Sequence, residues 1–221
     1  MGTVELDESW DCTQPRWSSC ALLTIDMQVD FADPDGAAYV AGTAEISPTL
    51  VTLLQSFRRH QRPVIHAVRL YDASGNDAEL SRRARIRNGP PLVRPGTTGA
   101  CLLPQMQCAL PPGWTDAVKR RFVEISRQEW VFYKPRWSAF FKTPLADHLA
   151  AHGLDTLVVA GCNFPNCPSA TIFDATERDL RVVLAIDAVS MTGPDTRAWC
   201  RGLGVLPMPA TEIDSNLSSS P

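Results

Sequence analysis

The sequence predicts an α/β protein: a three-layer αβα sandwich around a mostly parallel, Rossmann-like central sheet. Three observations carry this. Short apolar runs at 20–25, 64–68, 130–133, 156–160 and 181–186 look like strands buried on both faces. Amphipathic segments with proline starts or glycine stops lie between them. Alternation of the two requires right-handed crossovers, and these give a parallel sheet with helices on both sides.

Taken in order, residues 1–19 are polar, broken by Pro15, and predict an N-terminal arm. The first strand, 20–25, stops at Asp26. Ser47 and Pro48 supply an N-cap and a first helical position, and Leu50, Leu53, Leu54 and Phe57 follow at helical spacing. The strand 64–68 leads into an arginine-, glycine- and proline-rich stretch, 72–113, read as a short helix near 77–85 and a long ordered loop. The strand 130–133 is stopped by Lys134 and Pro135. Thr143 and Pro144 open a helix closed by Gly153, and the strand 156–160 turns through Gly161 into a helix over 168–178. After the strand 181–186 come a helix over 195–203 and a short last strand at 205–206. The expected organisation is one domain over 20–210 and a flexible tail over 211–221, whose serine-rich end, 215–221, reads as disordered.

Composition excludes several classes. The 221 residues are 44% hydrophobic and 20% charged, enough for a sizeable core. A net charge of −3 provides no general basic field for nucleic acid or an anionic membrane. No apolar run approaches the ~20 residues of a membrane helix. The acidic first twenty residues do not read as a secretory signal, so a cytoplasmic location is expected. The seven cysteines lack paired C-x-x-C spacing and are expected to be reduced, mostly buried thiols.

Parallel sheets bind ligands at the carboxyl ends of their strands. Here Asp26, Lys134 and the turn carrying Cys167 follow the first, third and fourth strands, so an acid, an ammonium and a thiol converge on one edge. Cys167 lies at a helix start, where partial positive charge and free N–H groups favour a thiolate. Asp26 could take the thiol proton and return it to a leaving nitrogen. Each residue alone has a plainer reading: core thiol, turn acid, solvated lysine. Trp137 and Phe31 are candidates for an apolar pocket wall. Phe164 goes either into that wall beside Trp137 or into the core, and Pro165 stiffens its turn.

Asp26, Gln28, Asp30 and Phe31 in D-x-Q-x-D-F spacing resemble the opening of the isochorismatase-like cysteine hydrolases. Lys134, Ser138, Ala139 and Phe140 resemble that family's K-x-x-x-S-A-F segment, and Gly161, Cys167 and Thr171 its nucleophile turn. The resemblance spans roughly 20–208. It implies hydrolysis of a C–N bond (amide, carbamoyl, ureido or lactam) in a small molecule through a thioester, as in nicotinamidases and N-carbamoylsarcosine amidohydrolases. It casts Cys167 as nucleophile, Asp26 as general base and Lys134 as positive partner. It also implies a cis Cys162–Asn163 peptide that turns the Asn163 N–H beside the Cys167 N–H as an oxyanion hole, and a homodimer or homotetramer. Phe164, Pro165 and Pro168 depart from the family pattern and reshape the pocket wall. Ester or vinyl-ether hydrolysis, or a catalytically silent binding module, are the alternatives.

Nicotinamidases of this family hold zinc through a D-x-H pair and a later histidine. No D-x-H accompanies His66, and His148 and His152 read as a solvated helix face, so no metal and no cofactor are expected. The arginines at 82, 83, 85 and 87 read as a solvated helix or a subunit contact. The loop 88–113 is expected to build a subunit interface or to cover a neighbour's site.

Overall fold

A computed structural model of the chain describes residues 12–219. Among these, seven strands form one sheet: β1 (Cys20–Ile25), β2 (Val64–Val68), β3 (Val123–Ser126), β4 (Glu129–Tyr133), β5 (Thr156–Gly161), β6 (Arg181–Val189) and β7 (Leu206–Met208). Their order is β3-β4-β2-β1-β5-β6-β7, parallel throughout except for the β3–β4 pair. The helices are α1 (Val29–Ala32), α2 (Thr43–Arg59), α3 (Leu80–Asn88), α4 (Trp114–Ala117), α5 (Leu145–Ala151), α6 (Cys167–Thr176), α7 (Thr196–Gly202) and α8 (Ala210–Ser219).

The period of two along each strand divides the interior into two cores. Leu22, Val64, Val68, Val158, Ala160 and Val183 join α2, α8 and the 86–118 segment on one face. Leu23, Ile25, Ile65, Val159 and Leu184 meet α5, α6 and α7 on the other. Every residue of β1 and β5 is buried, in keeping with their mostly apolar runs.

Several expectations are corrected. Helix α2 starts at Thr43 rather than at Ser47 and Pro48, so Pro48 lies inside the helix. An interior proline costs about 3 kcal/mol. Burial of Leu50, Leu53, Leu54 and Phe57, each worth about 1.5–3 kcal/mol, outweighs it. The helix expected near 77–85 runs over Leu80–Asn88. The strand β3 is an addition.

The flexible tail over 211–221 is overturned as far as Ser219. Ala210, Ile213 and Leu217 of α8 are buried, and Asp214 accepts hydrogen bonds from Ser56 and Arg59 of α2. The α8 serines donate back to carbonyls four residues earlier instead of loosening the chain.

Of the N-terminal arm, residues 1–11 lie outside the described residues. Its end is tied to the start of β5: the Arg16 N–H donates to Thr156 Oγ1 at 3.1 Å, and Ser19 Oγ to Asp155 at 2.7 Å. The loop 88–113 packs against its own domain. Leu92, Val93, Ala100, Leu102, Leu103 and Met106 are all buried.

Candidate active site

Three strand ends form the site. Asp26 follows β1 in the left-handed region (φ 54°), and its N–H donates to Ala67 O at 2.9 Å. Lys134 follows β4, with its N–H on Val68 O at 3.0 Å. Gly161 closes β5 opposite Ile25 at φ 117°, where any Cβ would collide with the Ile25 carbonyl oxygen, so only glycine fits. The chain then passes through a cis Cys162–Asn163 peptide to Cys167, the first residue of α6.

Asp26, Lys134 and Cys167 come together and are all buried, at 4%, 0% and 3% exposure. Lys134 Nζ donates to Asp26 Oδ2 at 2.8 Å and to Arg136 O at 3.3 Å. Asp26 Oδ1 is buried without a hydrogen-bond partner among the described residues. The backbone N–H groups of Asn163 and Cys167 likewise donate to nothing within the described residues. Thr171 braces the arrangement: its hydroxyl donates to Cys167 O at 2.7 Å and accepts the Ala139 N–H at 3.0 Å. The K-x-x-x-S-A-F segment is thereby fastened to the first turn of α6.

The expected thiolate is corrected. Burial, reinforced by the charge of Asp26, pushes the Cys167 thiol up to about 12, and Lys134 and Arg69 only partly oppose this. The resting side chain is a thiol beside a carboxylate.

Two polar residues of the opening motif hold the frame. Gln28 donates to Arg69 O and Ala100 O, both at 2.8 Å, and accepts the Arg69 N–H at 2.7 Å. Asp30 accepts the Val93 N–H at 2.5 Å. Phe31 is 5% exposed and lines a cavity with Arg82. Trp137 sits on the loop after Lys134, more than a third exposed. The Phe164 ring is not beside Trp137. It lies edge-on to Trp199 of α7, centroids 5.2 Å apart, so the expectation that it lines the pocket is not met.

Sequence reading passed over the buried Arg69, whose Nη2 donates to Tyr71 Oη at 2.7 Å and pairs with Glu79, while Nη1 reaches Lys134 O at 3.5 Å. The signal was an arginine directly after an apolar strand.

One group of side chains away from this edge has metal-ligand chemistry. His66 Nε2, Cys108 Sγ and Glu129 Oε1 are separated by 2.9, 3.6 and 3.5 Å. Arg58, however, grips both Glu129 oxygens at 2.9 and 2.6 Å and contacts Cys108 at 3.6 Å, so a cation already answers the carboxylate. The solvated-face reading holds for His152, which is exposed, and is corrected for the half-buried His148. His148 stacks on Phe122 with centroids 3.9 Å apart, both rings pack against Trp130, and burial lowers the His148 pKa to about 4.

A family model described as the isochorismatase domain matches residues 20–200. The chain belongs to the isochorismatase family. An isochorismatase family protein from Desulfovibrio vulgaris shares the fold at a TM-score of 0.76, with 33% identity over 90% of this chain and 98% of that one. A probable inactive nicotinamidase of Arabidopsis thaliana is 33% identical, covering 81% of this chain and 85% of its own. A maleamate amidohydrolase of Pseudomonas putida is 28% identical over 76% and 71%. Among the described residues, no helix is long and apolar enough to cross a membrane.

Proposed function

We infer that this isochorismatase-family chain is a cysteine-dependent amidohydrolase acting on a small-molecule C–N bond through a thioester. The observation that carries this is the Cys167 thiol at the start of α6 beside a buried Asp26–Lys134 ion pair with one carboxylate oxygen unspent. The amidohydrolase name of the Pseudomonas relative supports the reaction class. Nicotinamide is not the substrate proposed: the chain lacks the D-x-H pair, and the Arabidopsis relative's own name withholds nicotinamidase activity from that protein.

Cys167 Sγ attacks the substrate carbonyl carbon while its proton passes to Asp26 Oδ1. The oxyanion that forms is held by the Asn163 and Cys167 N–H groups. Asp26 gives the proton to the nitrogen, the C–N bond breaks, and ammonia or an amine departs from the thioester. Water then attacks as Asp26 takes its proton. The C–S bond breaks, the acid leaves, and the thiolate recovers the proton. Lys134 stays bonded to Asp26 Oδ2 and orients the carboxyl group, leaving Oδ1 to carry the proton. Because the thiol rests protonated, its proton leaves only as attack proceeds.

The test is a panel of amides, ureas, carbamates and lactams, followed by product release and by mass spectrometry for an acyl adduct on Cys167. Turnover with an adduct that Cys167→Ala lacks is the expected result. No turnover and no adduct across the panel would favour the silent binding module. The same proposal includes assembly into a dimer or tetramer, in keeping with the exposed Leu80, Trp137, Phe141 and Met191. Light scattering that finds a 24.3 kDa monomer at micromolar concentration would count against that part.

A further inference from the structure

The group formed by His66, Cys108 and Glu129 has no part in the proposed reaction, and its bonding is unusual for a buried network. His66 in the middle of β2 and Glu129 at the start of β4 are buried, and Cys108 reaches them from the loop 88–113. The Cys108 thiol carries one proton, yet among the described residues His66 Nε2, Glu129 Oε1, Arg58 Nη2 and Met106 O all lie 3.5–3.6 Å from its sulfur. A nucleophile–base–acid series would engage opposite nitrogens of the ring. Here the thiol and the carboxylate both meet Nε2, and Nδ1 is taken by Thr24 Oγ1 at 2.7 Å. The three side chains converge on one point and do not form a proton relay.

Convergence on one point is what a metal ion requires. A zinc ion at about 2.0–2.3 Å from N, O and S donors sets them about 3.3–3.6 Å apart in a tetrahedron. The pairs here stand at 2.9, 3.6 and 3.5 Å, so only His66 and Glu129 have to part, by a few tenths of an ångström. We propose that His66 Nε2, Cys108 Sγ and Glu129 Oε1 bind one divalent ion of the zinc type, which fastens the loop 88–113 to β2 and β4. A thiolate beside an imidazole selects such an ion over magnesium or calcium. Thr24 supplies the outer support: with Nδ1–H donating to its hydroxyl, the ring presents its lone pair at Nε2. A cavity of about 330 Å³, lined in part by Arg58, Cys108 and Glu129, gives the ion a way in and leaves room for water as a fourth ligand. Coordination releases the thiol proton to solvent.

Arg58 is the ion's competitor. It answers Glu129 through two separate bonds, Nε on Oε2 at 2.9 Å and Nη2 on Oε1 at 2.6 Å. Only Oε1 faces His66 and Cys108, so the ion displaces Nη2 and leaves Nε in place. This site is unrelated to the D-x-H arrangement, which the chain lacks.

The experiment uses the full chain, stripped with EDTA and kept reduced with a non-chelating phosphine. It is titrated with Co²⁺, whose thiolate complexes absorb in the near ultraviolet, and Zn²⁺ is then added in competition. A thiolate–cobalt band that saturates at one ion per chain and is abolished by zinc is the expected result, together with a higher unfolding temperature in zinc. Cys108→Ala should lack the band, whereas Cys101→Ala and Cys167→Ala should keep it. Thr24→Val should retain the band but weaken zinc binding by about 10–100-fold. Arg58→Gln should tighten zinc binding by about tenfold or more, because a charged hydrogen bond no longer competes for Oε1. No band in either wild type or Arg58→Gln would overturn the proposal. A band that survives Cys108→Ala, or a zinc affinity that neither Thr24→Val nor Arg58→Gln alters, would overturn it equally. None of these readouts depends on turnover, so the result stands apart from the amidohydrolase reading.

Discussion

Replacing Asp26 alone disturbs two things, because its carboxylate is both the proposed base and the buried counter-ion of Lys134. Asp26→Asn should lower turnover by about 10²–10⁴-fold. It should also reduce stability by about 3–5 kcal/mol in urea unfolding, since the fully buried ammonium loses its partner. Cys167→Ala should abolish turnover with a much smaller stability loss, and the double variant should be no less active than Cys167→Ala alone. Asp26→Asn with activity within tenfold of wild type would contradict the assignment. Phe164 offers a contrasting case. With its ring on Trp199 and half-buried, Phe164→Thr should cost about 1–3 kcal/mol and leave the range of amides accepted unchanged. Unchanged stability with a broader range would put the ring in the pocket. Asp26, Lys134 and Cys167 were legible because the first two stand where apolar runs stop and the third lies at a helix start just past the turn that follows another. The burial of all three, and with it the protonated thiol, was not, since sheet-edge position does not reveal what the 135–141 loop covers.

At the scale of elements, the buried strands and their apolar helices could be read from runs and spacing, whereas α8 and β3 could not. The serines of α8 suggest disorder until Ile213 and Leu217, four apart, are seen to meet α2. Strand β3 is a short edge strand with only Val123 buried, a pattern too brief for periodicity to register. Ile213→Ala should therefore destabilise the whole domain by about 2–5 kcal/mol in urea unfolding, a loss no flexible tail could produce. Strand β4 begins with Glu129. Burial raises its pKa, but bonds from His66 and Arg58 outweigh this and bring it from the ordinary 4.5 down to about 2. A lowered folded-state pKa stabilises above the unfolded value and is lost as pH falls. Glu129 should thus contribute about 3 kcal/mol that is complete above pH 4.5 and disappears towards pH 2. Acid unfolding of Glu129→Gln should show a flatter slope in that window. A slope unchanged from wild type would mean that the His66–Glu129–Arg58 network does not hold the carboxylate ionised.

For the molecule as a whole, the three-layer architecture followed from the alternation of runs, but strand order did not, because an apolar hexapeptide carries no label for its neighbours. The order has a consequence for biosynthesis. β1 is made first yet lies between β2 and β5, with all six of its residues paired to β5. While the ribosome adds residues 26–155, one side of a mostly apolar strand has no backbone partner, and such an open template recruits other nascent chains. A fragment ending at residue 155 should collect in the pellet when expressed, whereas the full chain should be recovered in the supernatant. Soluble, monomeric fragment at comparable yield would show that something else shields the Cys20–Ile25 segment until Thr156–Gly161 arrives.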